Sequence, residues 1–231
     1  MFMFFDYYYL LLVVPALLLS LWAQIKVKTT FSKYSKVSAR MTGADAAHSI
    51  MRQEGIAVPV EATRGTLTDH FDPRTNVIRL SEPVCNVASV AAVGVAAHET
   101  GHALQHAEGY GPMKLRHSIV SVTQFASSAS FWLFAIGLVI AAYSNNFTVA
   151  YLGLFGFFIM FFFQLVTLPV EFNASRRAVK ALEAQGMLSD DELKGVRKVL
   201  SAAALTYVAA MLVALGQFLR LLIILGNRRR D

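Results

Sequence analysis

The chain has 231 residues and a formal net charge of +6, and 55% of its residues are hydrophobic while only 16% are charged. Its mean hydropathy is +0.49. A water-soluble domain carries about a quarter charged residues, and here the apolar residues come in long uncharged blocks, so one soluble core cannot hold them. Disordered, collagen-like and disulfide-scaffold classes are excluded by the same composition, and the single cysteine, Cys85, cannot form an internal bridge. The chain reads as a mainly α membrane protein.

About 20 apolar residues cross a hydrocarbon core as a helix. The first such block runs from Tyr7 to Ile25. It lacks a basic leader and a clear cleavage site, which predicts a retained anchor. Lys26, Lys28, Lys33, Lys36 and Arg40 follow it and place that flank in the cytoplasm, with the N-terminus outside. The second and third blocks, Ile119 to Tyr143 and Phe147 to Val170, are separated by only Ser144-Asn145-Asn146 and predict a tight hairpin. The fourth starts near Val199, meets Gln217 and Arg220, and either finishes as a span with a polar exit or turns along the interface. Arg228, Arg229 and Arg230 then fall outside, against the positive-inside rule, but the internal flanks outnumber them. The Asn146-Phe147-Thr148 sequon abuts the membrane and reads as chance.

These blocks divide the chain into a first transmembrane helix (1–25), a polar catalytic region (26–117) and a transmembrane hairpin (118–170). A connector with a candidate ligand (171–198) and a fourth helix with a basic tail (199–231) complete it. In the polar region, Thr42-Gly43-Ala44-Asp45 predicts a capped helix through Glu54, with Gly55 ending it. The runs Thr63 to Phe71 and Asn76 to Val84 predict two strands of a β-hairpin about the Asp72-Pro73-Arg74-Thr75 turn. A helix follows from Ser89 to Ala107, ended by Gly109 and Gly111-Pro112. Ser189-Asp190-Asp191-Glu192 predicts a second capped start, leading into the fourth span. The basic residues lie on span flanks without aromatic interleaving, so a lipid bilayer is the expected partner and nucleic acid is not.

His98-Glu99-x-x-His102 carries the chemistry. On a helix, residues four apart share a face, so both imidazoles can reach one ion, with Glu99 beside it as a base. Zinc is the natural ion, because it accepts imidazole and keeps a position open for water. A third protein ligand is then needed. The extended pattern with a third histidine fails, since position 105 is Gln and position 108 is Glu. His106 and Glu108 are local candidates. Glu171 is the stronger one, because a carboxylate ending a long apolar block asks for compensation by a cation. Pairing with Arg176 or Arg177 at the interface is the competing explanation.

Several stretches resemble the neutral zinc metallopeptidase family of bacterial membranes (YugP-like). They are Thr42-Gly43-Ala44, Asp69-His70-Phe71-Asp72-Pro73, Ile78-Arg79-Leu80-Ser81, and Ala96 to Ala107 around the two histidines. The run Phe163 to Ala178, containing Leu168-Pro169-Val170-Glu171-Phe172-Asn173-Ala174-Ser175, and the run Ala202 to Ala210 extend the resemblance over nearly the whole chain. It implies a membrane-bound zinc endopeptidase with His98, His102 and Glu171 as ligands and a small α+β zincin-like catalytic domain. Glu171-Phe172-x-Ala174 is also similar to the third-ligand helix of HtpX-like and CAAX-prenyl peptidases. Those place Asp four residues after the ligand Glu, where this chain has Ser175. Asn173, Ser175, Asp69 or Asp72 are therefore the expected supports of the ligands.

The expected reaction is peptide hydrolysis by zinc-activated water with Glu99 as general base. His70 is the first expected oxyanion donor, with Tyr110, Arg176 and Tyr207 behind it, and the strand Asn76 to Ser81 is expected to hold substrate by strand addition. The substrate class is a peptide or membrane protein arriving at the cytoplasmic surface. A zinc-stabilised scaffold or adaptor would need no base beside the metal. An intramembrane site-2-type protease would place the motif within a span and carry a Leu-Asp-Gly partner motif, which is absent.

Overall fold

A computed structural model describes residues 6–228; Arg229 and Arg230 lie outside them. Seven α-helices and three short strands make up the described chain: α1 (Val14–Tyr34), α2 (Gly43–Gln53), β1 (Val60–Thr63), β2 (His70–Asp72), β3 (Val77–Ser81), α3 (Glu82–Cys85), α4 (Val90–Ala107), α5 (Gly111–Ser144), α6 (Thr148–Ala184) and α7 (Asp190–Arg228). A π-helical turn, Tyr9–Val13, leads into α1. Four helices are long and apolar enough to cross a membrane: Tyr9–Tyr34, Gly111–Ser144, Thr148–Ala184 and Asp190–Arg228. The protein is a multi-pass membrane protein, mostly helical, with one small sheet. The fourth helix makes no interfacial turn and stays helical through Gln217 and Arg220 to Arg228.

The chain separates into two compact units. One comprises Met1–Trp22, Leu115–Leu168 and Thr206–Asp231. Its core is Phe134, Leu138, Ala150, Leu154, Leu221 and Leu225. The other comprises Ala23–Lys114 and Pro169–Leu205 and holds the sheet, α2, α4 and the second half of α6.

In this second unit local sequence sets each element. The Thr42 hydroxyl accepts from Asp45 N–H, and the Asp45 carboxylate accepts from Thr42 N–H, so α2 opens on a reciprocal cap. Gly55, at φ 68°, follows its end. The capped start of the fourth span is also formed, with Ser189 N–H donating to Glu192 at 2.7 Å.

The hairpin is present but shorter than its sequence pattern. Asn76 takes a left-handed φ of 53° and belongs to the turn, so β3 starts at Val77. Pro83 has no N–H for a ladder, and the chain coils into α3 at Glu82. The run read as one strand from Thr63 to Phe71 is mostly loop: only Thr63, the last residue of β1, and His70 and Phe71, the first two of β2, are extended in the sheet. β1 pairs parallel with β3 and β2 pairs antiparallel with it, giving the order β1-β3-β2. β3 is therefore central, with both edges bonded, and cannot take substrate by strand addition. Gly111-Pro112 does not merely end α4; it opens α5, where a proline fits the first turn.

Two apolar clusters fix α4 inside this unit. Val90, Val93, Ala97 and Leu104 pack with Ile50 of α2 and Leu182, Val196 and Leu200. Ala92, Ala96 and Ala103 pack with Ile78 and Leu80 of β3 and Val170 of α6. Each fully buried Ile, Leu or Val contributes roughly 1.5–3 kcal/mol, enough in sum to hold α4 in place between sheet and helices.

Candidate metal centre

The small residues of α4 let it approach its neighbours closely, and the approach is tightest at Gly101. A Cβ there would lie 2.6 Å from the Ala174 carbonyl oxygen. This brings the α4 face carrying His98 and His102 against the stretch of α6 carrying Glu171.

His98 Nε2 lies 3.3 Å and His102 Nε2 3.5 Å from Glu171 Oε2. The three ligand atoms fall within 4.8 Å of one another, with His102 and Glu171 buried and His98 half-buried. Tetrahedral zinc with bonds of about 2.0–2.2 Å separates its ligands by roughly 3.3–3.6 Å. Both separations from Glu171 match that spacing, and two imidazole nitrogens with one carboxylate oxygen are a donor set that suits zinc and leaves a fourth position for water. Burial alone would push the His102 pKa down, but hydrogen bonding to Glu171 and the charges of Glu99 and Glu171 outweigh it, and the net shift is upward.

The outer nitrogens of both histidines are held. His98 Nδ1 lies 3.1 Å from Ser175 Oγ. His102 Nδ1 lies 3.0 Å from Gln105 Oε1. Gln105 is fully buried, and its Nε2 donates to the Val170 carbonyl at 2.8 Å and to Asn173 Oδ1 at 2.9 Å. Asn173 Oδ1 also accepts from Arg177 Nε at 2.7 Å, and Arg177 forks onto Glu108. These acceptors fix the Gln105 amide with its oxygen towards His102. The Nδ1 of His102 must then carry the proton, and Nε2 offers its lone pair to a metal.

Glu99 is buried, and its Oε2 accepts from Phe71 N–H of β2 at 2.9 Å. β2 has its other edge on β3, so the edge facing α4 is its outer one.

The remaining candidates stand apart from these three ligand atoms. His106 is exposed, with its ring against Phe71 at 5.5 Å. Glu108 pairs with Arg177. Asp69 accepts from Ser81 N–H at 2.7 Å, and Asp72 caps its own turn and pairs with Arg79 at 2.9 Å. His70 is exposed, its Nδ1 2.8 Å from the Thr68 carbonyl. Tyr110 is half-buried against the sheet-side cluster, and Arg176 is exposed. Sequence reasoning overlooked Gln105 and the Phe71 amide. The first entered as a failed histidine position and as part of the stretch that carries the resemblance, without a role of its own, and a backbone donor leaves no residue signature.

A family model described as "Putative neutral zinc metallopeptidase" matches residues 9–226. The chain belongs to that family. It is also 50% identical over 226 residues to "Putative membrane protease YugP" of Bacillus subtilis (strain 168), across 96% of this chain and 99% of that one. No solved structure matches. Membership of a zinc metallopeptidase family agrees with the donor set that α4 and α6 bring together, and it implies Zn2+ as the ion.

Proposed function

We propose that this protein is a membrane-bound zinc metalloendopeptidase of the HExxH-plus-glutamate type, with His98, His102 and Glu171 as ligands and Glu99 as general base. The observation that carries the reading is the convergence of Glu171 with both motif histidines at separations suited to one tetrahedral ion. Zinc bound there supplies Lewis acidity and draws the pKa of a bound water towards ~7.

The chain's own residues supply the rest. Glu99 takes a proton from the attacking water and passes it to the leaving amine. The Phe71 amide orients its carboxylate while the site is free of substrate. Substrate backbone pairs with the outer edge of β2, beside α4, since β3 is enclosed. Gln105, Ser175 and Asn173 orient the ligands, and His70 remains the first choice for the oxyanion donor. The region around α4 faces the cytoplasm, as the basic flank after the first span implies. The motif helix α4 is not among the four candidate spans, which supports a cut at the membrane surface rather than within the bilayer.

Zinc per chain and hydrolysis of a quenched unstructured peptide, measured on the detergent-purified full chain, test this. Wild type and Glu99→Gln are expected to carry zinc near one per chain, with hydrolysis only in wild type; Glu171→Gln is expected to lose zinc. Full zinc in Glu171→Gln would remove the third ligand from the proposal. Unchanged hydrolysis in Glu99→Gln would remove the base.

A further inference from the structure

Away from the metal centre, α1 and α7 enclose a groove with a cavity volume of about 560 Å³. Five cationic side chains line it: Lys26 and Lys33 from α1, and Lys194, Arg197 and Lys198 from α7. Thr30 and Ser201 add hydroxyls, and no carboxylate is among the described lining residues. On each helix the contributing positions repeat at three- and four-residue spacing, so each presents a single face to the groove. Three nearby acids partly balance them: Asp191 pairs with Lys194 at 2.9 Å, Asp190 also acts on Lys194, and Glu183 pairs with Arg197 at 3.3 Å. Both pairs are exposed, and exposed pairs contribute little, so a multiply charged anion can displace them.

The groove also has a defined depth. The uncharged run of α1 ends at Ile25, directly before Lys26, and that of α7 begins at Val199, directly after Lys198. Both basic faces therefore sit where their helices pass from polar to apolar sequence, which is the level of lipid headgroups. Basic residues scattered along flanks would satisfy the positive-inside tendency. Convergence of five cations into one cavity with hydroxyls at its wall does more, because it concentrates positive potential that only an anion relieves.

We propose that this groove binds the phosphodiester headgroup of an anionic phospholipid, one lipid per chain, whose acyl chains lie along the apolar continuations of α1 and α7. The phosphate oxygens accept from the lysines, Arg197 and the two hydroxyls. Bound lipid would neutralise the repulsion between the two basic faces and raise the stability of the folded state. The inference does not depend on the metal centre.

The test uses the full chain in uncharged detergent, with phosphatidylglycerol or phosphatidylcholine added in mixed micelles, and separately inorganic phosphate and pyrophosphate. Retained lipid is counted by native mass spectrometry and the melting temperature is followed. Wild type is expected to retain one phosphatidylglycerol in preference to phosphatidylcholine. With about 1 kcal/mol for each direct contact to the headgroup lost, Lys26→Gln with Lys198→Gln is expected to weaken retention roughly thirtyfold. Lys28→Gln with Lys36→Gln, basic positions that do not line the groove and make no such contact, is expected to change it less than about threefold. All four side chains are exposed, so neither double variant is expected to melt below wild type without lipid; the groove variant, relieved of part of the repulsion, is expected to melt at or slightly above it. Equal losses in the two double variants, or no loss in either, would overturn the site. Saturable binding of inorganic phosphate or pyrophosphate, abolished by the groove variant while phosphatidylglycerol shows no preference, would overturn the lipid assignment.

Discussion

Gln105 Oε1 lies 3.0 Å from His102 Nδ1, while the same side chain's Nε2 is committed to two acceptors, the Val170 carbonyl and Asn173 Oδ1. One amide therefore joins α4 to α6 and sets the tautomer of a candidate ligand. Loss of such outer partners typically weakens metal binding about 10–100-fold. Gln105→Leu removes both functions and is expected to fall in that range, with a lower melting temperature. Gln105→Glu keeps an acceptor for His102 but turns a second oxygen towards two carbonyl-type acceptors. It is expected to hold zinc better than the leucine variant while losing comparable stability. Competitive chelator titration of the two variants reads this directly, and wild-type affinity in both would refute the tautomer argument.

Gly101 makes the second connection between these helices. With a Cβ placed 2.6 Å from the Ala174 carbonyl oxygen, α4 and α6 must separate or tilt. Backbone on both sides leaves no flexible side chain to yield. Gly101→Ala is expected to cost roughly 1–3 kcal/mol and to lower zinc content, because the same shift carries Glu171 away from His98 and His102. Gly226→Ala is the matching control: its Cβ would meet nothing within 4 Å, and the change is expected to be neutral or mildly stabilising. Thermal melts and zinc per chain on the two variants check the contrast.

Much of this site was legible because its signals are local or chemically costly. His98 and His102 announce themselves by helical spacing, and Glu171 by being a carboxylate at the end of an apolar block. Thr42 and Asp45 carry their cap within four residues. Long-range pairing was not legible: nothing in Val60–Thr63 reveals that it aligns parallel with Ile78–Ser81, so β1 was missed apart from Thr63. The same gap made β3 look like an available edge. Ser175 reaches His98 Nδ1 through its hydroxyl, a contact that depends on how closely α4 and α6 approach.

Asp72 supplies a pH-dependent test of the hairpin. The Arg74 backbone N–H, then the Thr75 hydroxyl and Arg79, hold its carboxyl well below the usual carboxylate range. A group whose folded pKa is depressed contributes stability above its unfolded value, about 3.9 for Asp, and loses it as pH falls through the folded value. Asp72→Asn is therefore expected to melt lower than wild type at pH 7, and the difference is expected to shrink as pH drops below about 4. Melting curves of the pair from pH 7 to pH 3 check it. Because the folded value lies so far below the usual range, the charge account has the gap begin to narrow below about pH 4 and close only in part by pH 3; a gap that does not narrow at all would assign the loss to changed hydrogen bonding rather than to charge.

In the other unit, Arg220 is almost fully buried and its guanidinium meets the Asp6 carboxylate at 2.7 Å and 2.8 Å, with the Tyr9 ring at 5.0 Å. The partners are not equally placed: the Arg220 side chain is 4% exposed and that of Asp6 is 20%. Removing one member of a buried pair costs roughly 3–5 kcal/mol, chiefly by stranding the other charge. The penalty should therefore depend on which charge is stranded. Asp6→Asn leaves a buried guanidinium with a weaker partner, whereas Arg220→Met leaves a carboxylate nearer the surface and fills the space with apolar atoms. Asp6→Asn is expected to be the more destabilising of the two, and the Asp6→Asn, Arg220→Met double variant to recover a large part of the loss. Melting temperatures of the three variants in one detergent decide the matter; additive losses in the double variant would mean that the two side chains act independently.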